Sequence, residues 1–117
     1  DAAMLGKLAA DDASAVAAPT AAEMATAGSA DAIGFDSGRL EPGANADLAV
    51  IDLDAEHLTP QHDLVSHLAY AVRGSDVRHT VCDGTVLMCD RELQTLDLDE
   101  VIEAASTQAE ELFARAN

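Results

Sequence analysis

The sequence predicts a small mixed α/β fold, and three observations carry that expectation. Apolar residues recur at helical spacing in four separate stretches. Between them lie an apolar run after a Pro-Gly pair, Leu48–Leu53, and a stretch of alternating residues broken by Asp83-Gly84, both patterns of strands. The 117 residues with net charge -16 bound the chain to one small acidic unit with a thin core. Leu, Ile, Val and Phe number 26, whereas Ala alone numbers 25 and buries little area per residue. Several stretches therefore look built to pack against something larger.

Residues 2–10, AAMLGKLAA, read as the tail of a helix with Met4, Leu5 and Leu8 at helical spacing and no cap before it, so the chain is expected to begin within an element. Residues 11–19 read as a loop. Thr20-Ala-Ala-Glu23 after Pro19 has the form of a capping box and predicts one helix to about Ala32, stopped by Gly34. Met24, Ala25, Gly28 and Ala32 give that helix a small-residue face suited to close approach by a partner; a merely Ala-rich, solvated helix is the other reading. Pro42-Gly43 fits the two central positions of a type II turn, because Pro fixes φ and Gly accepts φ > 0.

Leu48–Leu53 is apolar on both faces up to Asp52 and predicts a central, covered strand. Thr59 with Pro60 predicts the start of a helix whose stripe is Leu64, Val65, Leu68, Ala69 and Val72, ended by Gly74. Around a two-residue Asp83-Gly84 loop, Cys82 would face Thr85 and Cys89 would face Arg78. The two thiols would then lie about 13 Å apart along the strands, too far for a disulfide, so both are expected reduced. Asp97 starts a last helix with the stripe Leu98, Val101, Ile102, Ala105, Ala109, Leu112 and Phe113, expected to dock on the sheet or on a partner.

The charge of -16 repels phosphates and anionic headgroups, which argues against nucleic acid and membrane surfaces as partners. No apolar run reaches the ~18 residues of a spanning helix and no signal peptide is evident, so the expected location is cytoplasmic. One Lys beside 14 Asp and 8 Glu suggests a surface adapted to high salt, with an ordinary acidic domain as the plainer reading.

Chemistry-bearing residues are sparse. His57, His62, His67 and His79 are candidates for metal or base roles. However, His62 and His67 stand five apart, about 140° around a helix, and no Cys pair completes a zinc site. Asp63 four before His67 would raise the imidazole's basicity if they touched, although a capping role is the simpler reading. Asp97, Asp99, Glu100, Glu103, Glu110 and Glu111 read as a solvated helix face, with weak cation binding as the alternative. No nucleophile elbow, phosphate loop or C-x-x-C is present. The residues alone thus describe an α/β accessory unit with no catalytic, substrate-binding or metal-binding residue.

Gly38-Arg-Leu-Glu-Pro-Gly-Ala-Asn-Ala-Asp-Leu-Ala-Val-Ile-Asp52 resembles the C-terminal signature of the amidohydrolase superfamily, metal-dependent deaminases and hydrolases built on a TIM barrel. Met24-Ala-Thr-Ala-Gly28 through Ala32-Ile-Gly34 resembles that family's preceding helix. Asp63-Leu-Val-Ser-His-Leu-Ala-Tyr-Ala71, Gly74-Ser-Asp-Val77 and Val81-Cys-Asp-Gly-Thr-Val86 resemble its last part. These segments are similar to one branch, the S-adenosylhomocysteine/5'-methylthioadenosine deaminases and the triazine (N-ethylammeline, atrazine) chlorohydrolases.

The resemblance implies that residues 1–34 are the terminal helices of the barrel. Residues 35–117 would then be the C-terminal part of a small composite β-sandwich with a closing helix. It further implies a zinc or iron ion held by an H-x-H pair, two more His and an Asp, none of which this chain contains; the family's metal-binding Asp would fall just upstream of Asp1. The chain's own cofactor set is thus expected to be empty and its partner to be the N-terminal barrel portion. The other reading is a self-contained, non-catalytic structural module that pairs as a homo-oligomer.

Overall fold

The computed structural model describes residues 2–116. Its elements in order are α1 (Ala2–Ala10), α2 (Ala18–Ala25), α3 (Ala27–Ile33), β1 (Leu48–Ile51), a 3-10 turn Glu56–Leu58 and α4 (Leu64–Tyr70). A second 3-10 turn Gly74–Asp76, β2 (Val77–Cys82), β3 (Thr85–Cys89), β4 (Glu92–Leu93) and α5 (Leu98–Ala116) follow. The mixed α/β class is as expected. The four strands form one antiparallel sheet in the order β1-β2-β3-β4. Helices α1, α3 and α4 gather around α2, so the chain divides into a helical cluster and a sheet.

The helix expected over 20–32 is two helices. It starts at Ala18 with Pro19 in its first turn and Ala17 as a cap without a side-chain hydrogen bond, so Thr20 lies inside the helix and closes no capping box. The break falls at Thr26 (φ -122°, ψ -106°), whose hydroxyl donates to the carbonyls of Ala22 (2.8 Å) and Glu23 (3.4 Å). A Ser/Thr hydroxyl bonded back to the preceding turn competes with the helical ladder and bends it. The bend also admits the backbone of Gly38, where a Cβ would sit 2.6 Å from Thr26 C and Ala27 N. Gly34 does stop α3, in the left-handed conformation.

The Pro42-Gly43 turn forms with Gly43 at φ +96° and the Ala44 amide bonded to the Glu41 carbonyl. Strand β1 is at one edge of the described sheet, not at its centre: it pairs with β2 alone, and Ala49 and Val50 are exposed. Its two-faced apolarity points to cover that these residues do not provide.

Helix α4 is shorter than expected and capped differently. The Asp63 carboxylate, not Thr59, accepts the Val65 amide (3.1 Å) and the Ser66 hydroxyl (2.6 Å). Thr59 instead ends the first 3-10 turn, and the Thr59–Pro60 peptide is cis. Val72 lies beyond the helix, its amide on the His67 carbonyl, and Gly74 opens the second 3-10 turn.

Asp83 and Gly84, both at positive φ, make the two-residue hairpin loop, and Cys82 pairs with Thr85 as expected. Beyond that the register shifts by one between Thr80 and Val81, so Thr80 faces Met88. Arg78 therefore meets Asp90 (2.6 Å) and the Arg91 amide rather than lying opposite Cys89.

Helix α5 starts where its Asp97 cap predicts, the carboxylate accepting the Asp99 and Glu100 amides. It does not dock on the sheet: every described side chain from Arg91 to Arg115 is exposed. The buried set is correspondingly small, Ala3, Ala18, Ala30, Leu58 and Asp76. The accessible surface of 8723 Å² compares with roughly 6,000 Å² for a compact protein of this mass, and the 18.5 Å radius of gyration with about 13 Å.

Candidate functional site

Each ionisable group that sequence reasoning singled out is placed in a separate, local role. Asp76 is the one buried carboxylate among the described residues. Its Oδ2 accepts the Arg73 amide (2.7 Å) and faces His57 Nε2 (2.8 Å), while its carbonyl takes the Asp52 amide. The Arg73 amide above all, then His57, holds this carboxyl below its ordinary value. The pair therefore ties both 3-10 turns to the end of β1.

His67 Nδ1 lies 2.8 Å from the Asp63 carbonyl, not its carboxylate, which is occupied by Ser66 and Val65 and lowered by them. The suggested Asp63–His67 pair is thus a helix cap beside a local histidine contact. His79 Nδ1 accepts the Asp90 amide (3.2 Å), and Asp90 is lowered chiefly by Arg78. His62 is exposed. Among the described residues no three His, Cys, Asp or Glu side chains come together as a metal site would require. His57, His67 and His79 each have a partner on a different segment.

Cys82 and Cys89 are free thiols. The Asp47 carboxylate beside Cys82 raises that thiol, the opposite of what a reactive cysteine needs. Asp47 itself joins two parts of the fold, accepting the Ser37 hydroxyl (2.6 Å) and the Asp83 amide (2.7 Å), and both hold it low. No local pattern in the sequence announces Asp47, because its partners lie 10 and 36 residues away, and the His57 partner of Asp76 lies 19 away. The Asp99, Glu100, Glu103, Glu110 and Glu111 side chains are exposed on α5, as a solvated face would be.

Two clefts remain. One, of about 360 Å³, lies between α1, α2 and α4 and is lined by Ala2, Ala3, Ala21, Ala22, Ala25 and Leu68 among others, with no acid or base. The other, about 340 Å³, runs from Thr26 and Gly38 to Leu48 and Ala49. Its two charged groups are already engaged, Arg39 with Asp31 (2.6 Å) and Asp47 as above. Neither cleft holds a nucleophile with a base beside it. Both are lined mainly by apolar side chains.

The fold is a mixed α/β unit, a four-stranded antiparallel sheet beside a cluster of helices. The Amidohydrolase family profile matches residues 3–88, and the chain belongs to that family. It is 72% identical over 116 residues to a 5-methylthioadenosine/S-adenosylhomocysteine deaminase of Haloarcula marismortui, spanning 99% of this chain and 27% of that protein. A crystal structure of an adenosine deaminase from Xanthomonas campestris with bound zinc superposes with TM-score 0.92 and 35% identity, covering 97% of this chain and 26% of its own. A zinc complex of an atrazine chlorohydrolase from Arthrobacter aurescens follows at TM-score 0.72 and 29% identity, over 79% of this chain and 20% of that one. The chain thus spans about a quarter of the length of its curated relatives. The high-salt character of its composition accords with the Haloarcula relative.

Proposed function

We propose that this chain is the C-terminal segment of a hydrolytic deaminase acting on the amino group of an adenosine-like ring. Residues 1–34 would supply the closing helices of the barrel and residues 35–117 the rest of the composite sandwich with its closing helix. The observation that carries this reading is the 72% identity, over nearly the whole chain, to a deaminase about four times as long. The open shape supports it: exposed Leu5, Leu8, Ile33, Phe35 and Leu40 are more apolar surface than a small soluble monomer presents. A chloride-displacing, triazine-type activity is the second reading and rests on the chlorohydrolase neighbour, at lower identity.

In either reading the metal, zinc or iron, and the groups that activate water belong to the remainder of the polypeptide. This chain binds neither the metal nor substrate; it closes and braces the body that does. The partner is that N-terminal portion, and the location proposed is the cytoplasm. Among the described residues no helix is long and apolar enough to cross a membrane.

A chimera tests the proposal. This chain replaces the matching 116 residues of the Haloarcula relative, and release of ammonia from S-adenosylhomocysteine is followed in molar salt. Activity within about tenfold of the parent, a loss of no more than ~1.4 kcal/mol in transition-state stabilisation, is expected, with none from the 117-residue chain alone. Turnover by the isolated chain, or a soluble chimera that holds its metal but does not act, would refute it.

A further inference from the structure

Helix α5 is exposed along its length, every described side chain from Leu98 to Arg115 included. Leu98, Val101, Ile102, Ala105, Ala109 and Leu112 fall within about 120° of its circumference, while Asp99, Glu100, Glu103, Glu110 and Glu111 take the other side. The large members of the stripe, Leu98, Val101, Ile102 and Leu112, are 47–63% exposed. The helix is joined to β4 only through residues 94–97, and a helix that touches so little has no reason of its own to hold one direction.

It nonetheless holds one. The match to the Xanthomonas structure covers 97% of this chain, leaving about four residues out, and α5 has 19. A TM-score of 0.92 leaves no room for a sixth of the chain to point elsewhere. The helix therefore takes the same direction in the crystal of a protein about four times as long. The elements of this chain leave Leu98, Val101, Ile102 and Leu112 largely exposed. The Amidohydrolase family profile ends at residue 88, before α5 begins, so the helix also lies outside the part the profile describes.

We infer that the apolar stripe of α5 is a docking surface for the part of the deaminase polypeptide outside this chain, which it straps to the sheet. This rests on the reading of the chain as a segment of a longer deaminase. A second α5 is the poorer occupant. A strip about 28 Å long and one helix wide hides well under the ~1,200 Å² of a stable interface. Carboxylates flanking both helices would also repel one another.

Hydrogen exchange on the chimera in molar salt, compared with the 117-residue chain alone, tests this. Amides of α5 should exchange at least about 100-fold more slowly in the chimera, and those of β1 should slow as well. Val101→Asp with Leu112→Asp should return α5 to its rate in the isolated chain, whereas Glu103→Gln with Glu110→Gln on the outer face should not. Slowing at β1 with none at α5 would overturn the docking and leave the segment reading intact. Slowing at neither would overturn both. Protection of α5 that disappears as a chimera oligomer is diluted to monomer would assign the surface to a second copy and overturn the inference.

Discussion

Asp76 carries more of the fold than its single charge suggests. It receives an amide and an imidazole on one side chain while its carbonyl anchors the end of β1. Asp47, Asp52, Asp63 and Asp90 act alike at other joints, and each is held below the ordinary value of 3.8 by the hydrogen bonds it accepts. A carboxyl whose folded value is depressed contributes stability above its unfolded value, and loses it as pH falls through the folded one. Thermal stability should therefore be level above about pH 5 and fall steadily below about pH 4. Asp76→Asn should flatten part of that fall in a pH series of melting temperatures, and an unchanged profile would remove Asp76 from the account. Two glycines divide by surroundings rather than by φ. Gly84→Ala meets nothing within 4 Å and should cost only the left-handed backbone, about 1–2 kcal/mol. Gly38→Ala meets the Thr26 and Ala27 backbone at 2.6–2.8 Å and should cost more, with the α2–α3 bend displaced. Denaturant unfolding of the two variants in the chimera checks the order.

At the scale of elements, what could be read from the sequence was what depends on neighbours in the chain. The Asp83-Gly84 loop, the Pro42-Gly43 turn, the Gly34 stop and the Asp97 cap each involve residues within a few positions, and each forms as expected. The expectations that failed depend on distant contacts. The α2–α3 break accommodates Gly38, twelve residues on, and the bulge between Thr80 and Val81 accompanies the Arg78–Asp90 pair. The central position expected for β1 is not met, since β1 pairs with β2 alone among the described strands. At the candidate site, spacing gave only the separation of His62 and His67, whereas the contacts that His57 and His79 make, with Asp76 and Asp90, join residues far apart in the chain. Asp97→Ala should cost about 1 kcal/mol of helix stability. Circular dichroism of the isolated chain should show that loss as reduced helicity, because the described side chains of α5 are exposed.

For the whole molecule, the surface and radius both exceed those of a compact protein of this size. Net charge of -16 on 117 residues adds self-repulsion, which salt relieves: the Debye length is about 3 Å at 1 M and about 10 Å at 0.1 M. The isolated chain should lose stability, and expand, as salt is lowered through that range, a change visible in its scattering radius. The central claim is that the chain completes a deaminase that it does not itself contain. The most direct measurement is complementation in molar salt: this chain is added to the separately produced remainder of the Haloarcula relative, and deamination of S-adenosylhomocysteine is recorded against the amount added. Activity that rises and saturates at one chain per remainder is the expected result. A remainder equally active without the chain, or a chain that stays compact and monodisperse and restores nothing, would contradict it.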